Sequence, residues 1–319
     1  PSITTLSGIE SFTNLQYLFC KNNNLISVNF SSNQSLKELN LDQNQISTID
    51  ISNNLLLSKL ICSSNQLTSI DISNNVALTY FECGLNQLTS LNVSNNSSLK
   101  TLGCASNQLA NIDVSANLEL IELNCNGNQL SSLNVSNNIM LSSLDCSFNS
   151  LANIDVSSNI NLNNLRCFDN QLTTLNVNNN PYLVTLTCEF NQLTSLDVSN
   201  NFYLYELICD NNQLSSIDVS NNPSIGIVYV SDNNLLVSIF MKNGNSNDTL
   251  FFENTPNLTY ICADEDQVEN ILELIDIYDY PYNCSVSTYC SFSPGGNYNT
   301  ISGNIKLDAN DNGCDANDL

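Results

Sequence analysis

A unit of 21 residues repeats without interruption through most of this chain. From Leu15 the pattern L-x-x-L-x-C-x-x-N-x-L-x-x-L-x-V-x-x-N-x-x occurs eleven times and ends at residue 245. One such unit cannot bury its own apolar residues, so it is stable only when it stacks on its neighbours. The period therefore predicts a solenoid.

Two short strands are expected in each unit. In Leu144-Asp145-Cys146 and in Leu196-Asp197-Val198 apolar residues lie two apart, which is the period of a strand with one buried face. A unit this short has no room for a helix as well. We therefore expect an all-β, right-handed solenoid of 11 coils, with short parallel strands on both faces and a length of roughly 50 Å at about 4.8 Å per coil.

Asparagine occupies the ninth position of every unit, from Asn23 to Asn233, and a second asparagine recurs ten residues later, from Asn33 to Asn243. An asparagine amide can satisfy backbone groups that a tight turn leaves unpaired. The pattern predicts ladders of asparagine side chains along the stack.

Cysteine occupies the sixth position of nine units. A redox or metal-binding row is one interpretation, and a stack of small buried hydrophobic residues is the other. Leu41 and Val230 fill the same position in two units, so the position requires apolar volume. Equivalent side chains on adjacent parallel strands also point the same way, which suits neither a disulfide nor a tetrahedral metal site. We expect buried, reduced thiols that react slowly at Cys20, Cys62, Cys83, Cys104, Cys125, Cys146, Cys167, Cys188 and Cys209.

Composition excludes several classes of function. The chain has 7 Lys and Arg against 31 Asp and Glu, a net charge of −24, and no His. Without His there is no Ser-His-Asp triad and no His-ligated zinc. The acidity argues against binding nucleic acid, and no apolar run approaches the roughly 18 residues of a membrane span. We expect no nucleic-acid partner, no direct membrane insertion and no cofactor.

The repeat resembles the leucine-rich repeat family. Its halves of 10 and 11 residues are similar to the bacterial 21-residue class called IRREKO-type repeats, with Cys in place of the usual Leu at position six. The run N-Q-L-T-S-L-D-V-S-N-N, from Asn191 to Asn201, is similar to secreted repeat proteins of Bacteroidetes. The resemblance covers residues 15–262. It implies a secreted or cell-surface, monomeric protein that binds a protein or glycan and performs no catalysis.

The ends of the stack need caps, because they would otherwise expose an apolar layer. The sequence predicts a capping coil over 1–14, an insertion near 243–256, a C-terminal cap over 263–290 with a helix over 265–278, a linker over 291–300, and the first strand of a β-sandwich-like domain over 301–319. The repeat frame places Ala263 in the cysteine position, so Cys262 should face outward. A disulfide from Cys262 to Cys284, rather than to Cys290, is expected to fasten the cap and implies an oxidising compartment.

The last residues contain half of a calcium-binding pattern. Asp308, Asn310 and Asn312 are spaced as in a D-x-N-x-N-G loop, whose alternate oxygens suit Ca²⁺. The closing glutamate is missing, since Leu319 occupies its position. A calcium site and a simple acidic turn both remain open.

A candidate binding surface lies in the later coils, on what should be the concave side. Phe148, Phe168 and Phe190 lie at or beside position eight of consecutive units. Exposed aromatic residues flanked by charge are typical of a binding surface, but these rings could instead fold inward and close the coil. The candidate residues are Phe148, Arg166, Phe168, Glu189, Phe190, Tyr205, Ile208, Asp210 and Tyr229.

Three functions remain in view. The first is a non-enzymatic module that binds a protein or glycan in adhesion or recognition. The second is a structural spacer that presents a downstream domain. The third is a hydrolase with paired carboxylates, which has no support beyond acidity and would require a cleft lined by two carboxylates of raised pKa.

Overall fold

The computed structural model describes residues 3–245, 248–278, 280 and 284–290, and these residues form a solenoid of short parallel strands. Each strand has three residues and is followed by turns, and an α-helix comes near the end of the described residues. The strands are β1 Tyr17–Phe19, β2 Glu38–Asn40, β3 Lys59–Ile61, β4 Tyr80–Glu82, β5 Thr101–Gly103, β6 Glu122–Asn124, β7 Ser143–Asp145, β8 Asn164–Arg166, β9 Thr185–Thr187, β10 Glu206–Ile208, β11 Ser216–Asp218, β12 Ile227–Tyr229, β13 Ser238–Phe240, β14 Thr249–Phe251, β15 Tyr260–Cys262 and β16 Ser285–Ser287.

One face is a parallel sheet of 12 strands, in the order β1 to β10, then β12 and β14. Its register advances by 21 residues per coil from β1 to β12, as in the pair Leu123 and Leu144, so the predicted period is the true stacking period there. The middle residue of nearly every strand is buried in the core. Its two neighbours face outward and make the sheet surface. Coils are numbered here from the one that contains β1.

The opposite face carries strands only near the C-terminus, where β11, β13, β15 and β16 form a second sheet. In earlier coils the second half is extended, and bonds such as Gln45 N–H to the Leu25 carbonyl, 2.9 Å, join it to the coil before. The predicted solenoid with strands on both faces is therefore present, but its second sheet is short.

The predicted insertion near 243–256 is wrong, because these residues contribute a twelfth coil. Strand β14 pairs in register with β12, and Leu250 and Phe252 are buried. Coil 11 has one extra residue. The 21-residue frame predicts that Leu235 is buried, but Leu235 is exposed and Leu236 is buried instead. That single residue shifts the frame and hides the last coil. Residues 258–263 consequently lie on the second face, and Ala263 is not in the cysteine row.

Both ends of the stack are covered. At the N-terminus a 3-10 turn, Ile9–Ser11, is held by Asn33, whose amide donates to the carbonyls of Ile9 and Phe12 at 2.9 Å. At the C-terminus the helix α1, Val268–Ile277, buries Ile271 and Ile275. The helix begins later than the predicted residue 265, because Asp264 N–H bonds to the Gln267 side chain in a turn before it.

The predicted pairing of Cys262 with Cys284 is wrong, because the disulfide joins Cys262 to Cys290, with a Cα–Cα distance of 5.2 Å. Cys262 lies opposite Ser287 in the β15–β16 pair. Cys284 is three residues before Ser287, so it is displaced along the strand by about 10 Å, which exceeds disulfide reach. It remains a free thiol that packs against the core. Cys262 points away from the cysteine row but is fully buried by the cap.

Several expectations fall outside the described residues. These are the linker over 291–300, the β-sandwich-like segment over 301–319, and the calcium ligands Asp308, Asn310 and Asn312. Within the described ranges, no helix is both long and apolar enough to cross a membrane.

Candidate functional site

Asparagines at position nine fix the turn that follows each strand of the large sheet. The Asn44 Oδ1 accepts from the Leu25 N–H of the coil before at 3.0 Å. Its Nδ2 donates to the carbonyls of Cys20, 3.0 Å, and Leu41, 2.9 Å. The same three bonds recur from coil to coil as far as Asn233. The predicted asparagine ladder therefore exists, and it joins each coil to its neighbour.

Just before this asparagine, every coil passes through the left-handed region of backbone space. The φ angle at position eight lies between 51° and 62°. This conformation is easy for Gly, tolerable for Asn and strained for large side chains. The residues at position eight are Asn22, Gln43, Ser64, Leu85, Ser106, Gly127, Phe148, Asp169, Phe190, Asn211, Asp232 and Asn254.

This backbone turns the side chains at position eight away from the core. Phe148 is 51% exposed and Phe190 is 54% exposed, so the alternative that these rings close the coil is wrong for both. Phe168, at position seven, is half-buried and meets Phe148 edge-to-face, with 4.8 Å between ring centroids. Asp169 occupies position eight between Phe148 and Phe190. The three phenylalanines therefore stand at the rim of the sheet, with a carboxylate among them.

Other predicted residues lie on the sheet surface beside this rim. Arg166 ends β8, Ile208 ends β10 and Tyr229 ends β12, so all three point outward. The Tyr205 ring lies across the next coil over Gly226, where a Cβ would meet it at 2.4 Å. Position 226 thus requires glycine, because a larger residue would collide with the Tyr205 ring in this position.

Phe251 belongs to the same surface and is missed by the sequence analysis. Its ring stacks on Tyr229 with 4.3 Å between centroids and 7° between planes. The assumed insertion concealed it. The signal that could have revealed it is Leu250 and Phe252 on either side, which repeat the apolar alternation of the earlier strands after one extra residue.

Two predicted carboxylates stand together at position seven of coils 9 and 10. Burial raises the pKa of Asp210 to about 7, and repulsion from Glu189 and Asp232 adds to the effect. Burial also raises the pKa of Glu189, and the positive charge of Arg166 partly offsets this rise. The Glu189 Oε2 and the Asp210 Oδ1 are both buried without a hydrogen-bond partner. Both carboxyl groups belong to partly exposed side chains, so they can pair with a cationic group of a ligand.

A shallow depression of about 260 Å³ lies on the sheet surface, and it does not include this pair. Its lining contains Glu82, Glu122, Asp145 and Arg166. Burial raises the pKa of Glu82, whose Oε1 accepts the Tyr80 hydroxyl at 3.2 Å. Since Glu189 and Asp210 lie elsewhere, the carboxylate-hydrolase alternative gains no support. In the described part of the chain, no group of three or more Asp, Glu or Cys could hold a metal ion.

Comparison with known proteins finds the fold among solved structures, whereas no family model and no curated protein matches. The functional domain of InlJ from Listeria monocytogenes, which includes a cysteine ladder, is 29% identical; the match covers 89% of this chain and 70% of that chain, with a TM-score of 0.74. An internalin, inlF, of the same organism is 20% identical over 91% and 85%, with a TM-score of 0.70.

A plant structure shares the fold in complex with a ligand. The leucine-rich repeat ectodomain of the receptor kinase GASSHO1/SCHENGEN3 from Arabidopsis thaliana was solved with Casparian strip integrity factor 2. It is 23% identical over 82% of this chain and 34% of that chain, with a TM-score of 0.71. The present chain is thus a leucine-rich repeat-type solenoid similar to bacterial repeat proteins.

Proposed function

We propose that this chain is a non-enzymatic, protein-binding repeat module of an exported bacterial protein. Its binding surface is the rim and sheet surface of coils 7 to 12. One observation carries the proposal: Phe148 and Phe190 are half exposed at backbone positions where Gly or Asn would cause less strain. A large apolar side chain that is exposed and has a strained backbone contributes little to folding, which favours a role in recognition.

The neighbouring groups indicate the chemistry of the partner. Phe148, Tyr205 and Phe251 offer flat apolar contact, and Glu189 with Asp210 offers two partly exposed carboxyl groups. Such a surface suits a protein segment that presents apolar side chains beside Lys or Arg. The disulfide between Cys262 and Cys290 supports export, because such bonds persist in oxidising compartments.

The test is a binding screen of the purified chain against surface proteins and glycans, with a double variant F148S/F190S beside it. Serine occupies the same backbone position at Ser64 and Ser106, both with φ 53°, so the fold should tolerate the change. The control is L85S, because Leu85 is 59% exposed at position eight of coil 4, outside the proposed surface.

We expect a protein ligand that binds the wild type and L85S but not F148S/F190S. If a basic group of the ligand docks at Asp210, the D210N variant should bind the same ligand more weakly. A ligand that binds F148S/F190S as well as wild type would move the site elsewhere. A glycan ligand would change the partner class, and no ligand in any arm would favour the structural-spacer alternative.

A further inference from the structure

A row of exposed apolar side chains runs along a second edge of the solenoid, far from position eight in each coil. It occupies seven of the ten positions at the ends of coils 5 to 9, where the last two residues of each coil form the turn that leads into the next strand of the large sheet. All seven members are at least half exposed, and we call them the turn row: Leu118, Ile139, Met140, Ile160, Tyr182, Phe202 and Tyr203. Within it Tyr182 and Tyr203 are stacked, with 6.2 Å between ring centroids.

The turn row is unusual because, apart from Glu119 at one end, its turns carry no charge in a very acidic protein. The segments 136–142, 157–163, 178–184 and 199–205 contain it from coil 6 to coil 9, and none of them has a charged residue. The only charge in the row's own turns is Glu119 at the end, which lies 4.0 Å from Lys100. Five consecutive coils at about 4.8 Å give an uncharged apolar strip roughly 20 Å long. Contiguous exposed strips of this kind mark interaction sites.

We infer that the turn row is the interface between two copies of this chain, packed antiparallel about a two-fold axis at coil 7. In this arrangement Ile160 faces its own equivalent. Coil 6, with Ile139 and Met140, then faces coil 8, with Tyr182, and coil 5 faces coil 9. The inference is independent of the proposed function and departs from the expectation of a monomer.

Three features favour a second copy over other occupants. The side chains recur at the spacing of stacked strands, so a row of the same period can interdigitate along its whole length. Seven large, half-exposed side chains offer on the order of 700 Å² of accessible surface. This is close to the roughly 800 Å² that each partner buries in a standard interface. Two copies of net charge −24 repel each other over most of their surfaces, and this strip is where that repulsion is weakest.

The experiment is sedimentation equilibrium of the whole chain at low and high salt, with matched variants I160D and L56D. Ile160 is 53% exposed and Leu56 is 54% exposed, and they lie at adjacent positions, 20 and 21, of the same kind of turn. Coil 4, which ends in Ser97 and Ser98, separates Leu56 from the turn row. Circular dichroism checks that both variants are folded.

We expect the wild type and L56D to form dimers. The dissociation constant of the I160D dimer should be at least about tenfold higher, since two charges would meet at the axis. Dimerisation should strengthen with salt, because salt screens the repulsion between the copies. An interface held by ion pairs would weaken instead.

A second arm tests the two-fold axis directly. Oxidative cross-linking should join two I160C chains and not two L56C chains. A wild type that is monomeric throughout, a dimer that I160D leaves intact, or equal cross-linking of both variants would overturn the inference. A monomer that co-sediments through this row with uncharged lipid vesicles or an insoluble polysaccharide would also overturn it, in favour of that occupant.

Discussion

Asn107 shows how a single side chain holds two coils together. Its Oδ1 accepts from Leu88 N–H at 2.9 Å, and its Nδ2 donates to the carbonyls of Cys83 and Cys104 at 3.1 Å. Asn107→Ala leaves these buried backbone groups without partners. We expect a loss of about 2–4 kcal/mol in the free energy of unfolding, measured by chemical denaturation.

The control for this prediction is Asn95→Ala. Asn95 is exposed and makes a hydrogen bond of 3.2 Å to the Ser73 carbonyl, where water can replace it. Its removal should cost under about 1 kcal/mol. Equal losses for the two variants would mean that the ladder contributes no more than a surface contact.

Leu85 tests the strain at position eight. Its φ is 54°, and Gly127 occupies the equivalent position of a later coil with φ 62°. Because a left-handed leucine is strained and this one is exposed, Leu85→Gly should stabilise the chain by about 0.5–1 kcal/mol, measured by thermal unfolding. Leu56→Gly, at an equally exposed position without a positive φ, should destabilise it. Destabilisation by both would show that position eight carries no strain.

At the scale of the strand, the sequence predicts burial well and hydrogen bonding less well. Leu123 and Leu144 are buried and adjacent, as their spacing requires. The second face has the same apolar alternation, yet regular strands form there only from β11 onward. Periodicity reports which side chains avoid water, whereas a strand ladder also depends on backbone alignment between coils. One extra residue in coil 11 was enough to conceal β14 and with it Phe251.

The candidate site was predictable in its residue types but not in its geometry. Position eight holds residues as different as Asn, Leu and Phe, so its left-handed backbone leaves no clear mark in the sequence. The exposure of Phe148 follows from that backbone. Likewise the choice of Cys290 over Cys284 depends on the path of the chain after helix α1, which no local pattern encodes.

The disulfide should stabilise the last coils. It closes a loop of 28 residues, and its removal in a C262S/C290S variant should lower the free energy of unfolding by about 3.5 kcal/mol through the gain in unfolded-chain entropy. Limited proteolysis should then cut first near β15 and helix α1. The control is C284S, which removes a free thiol at the same end. A double variant as stable as wild type would show that the cap is held by packing alone.

For the whole molecule, two sets of acidic groups with shifted pKa values have opposite effects on stability. Burial raises the pKa of Asp210 to about 7 and that of Asp248 to about 6, and it raises the pKa of Glu189. Hydrogen bonds from serines two residues later lower the pKa of five exposed aspartates: Asp50, Asp71, Asp113, Asp155 and Asp197.

The sign of each set follows from proton binding. Between about pH 4 and pH 7 the folded chain holds protons on the buried acids that the unfolded chain has released, so the free energy of unfolding falls as the pH rises through this window. Below about pH 4 the exposed aspartates act in the opposite sense, because the unfolded chain binds protons first. Stability should therefore be greatest near pH 4, where the two effects meet.

Asp210→Asn isolates the main contributor, since its pKa is about 7 against an ordinary 3.8. The variant should match wild type near pH 4 and exceed it at pH 8 by about 2 kcal/mol, a value reduced for the partial exposure of the group. The measurement is the urea midpoint across this range. Asp197→Asn is the control with the opposite sign, because its carboxylate accepts from Ser199 N–H at 3.0 Å and gains from ionisation. If wild type became more stable from pH 5 to pH 8, ionising Asp210 in the folded chain would cost no free energy. The argument that Asp210 pairs with a basic group of a ligand would then lose its physical basis.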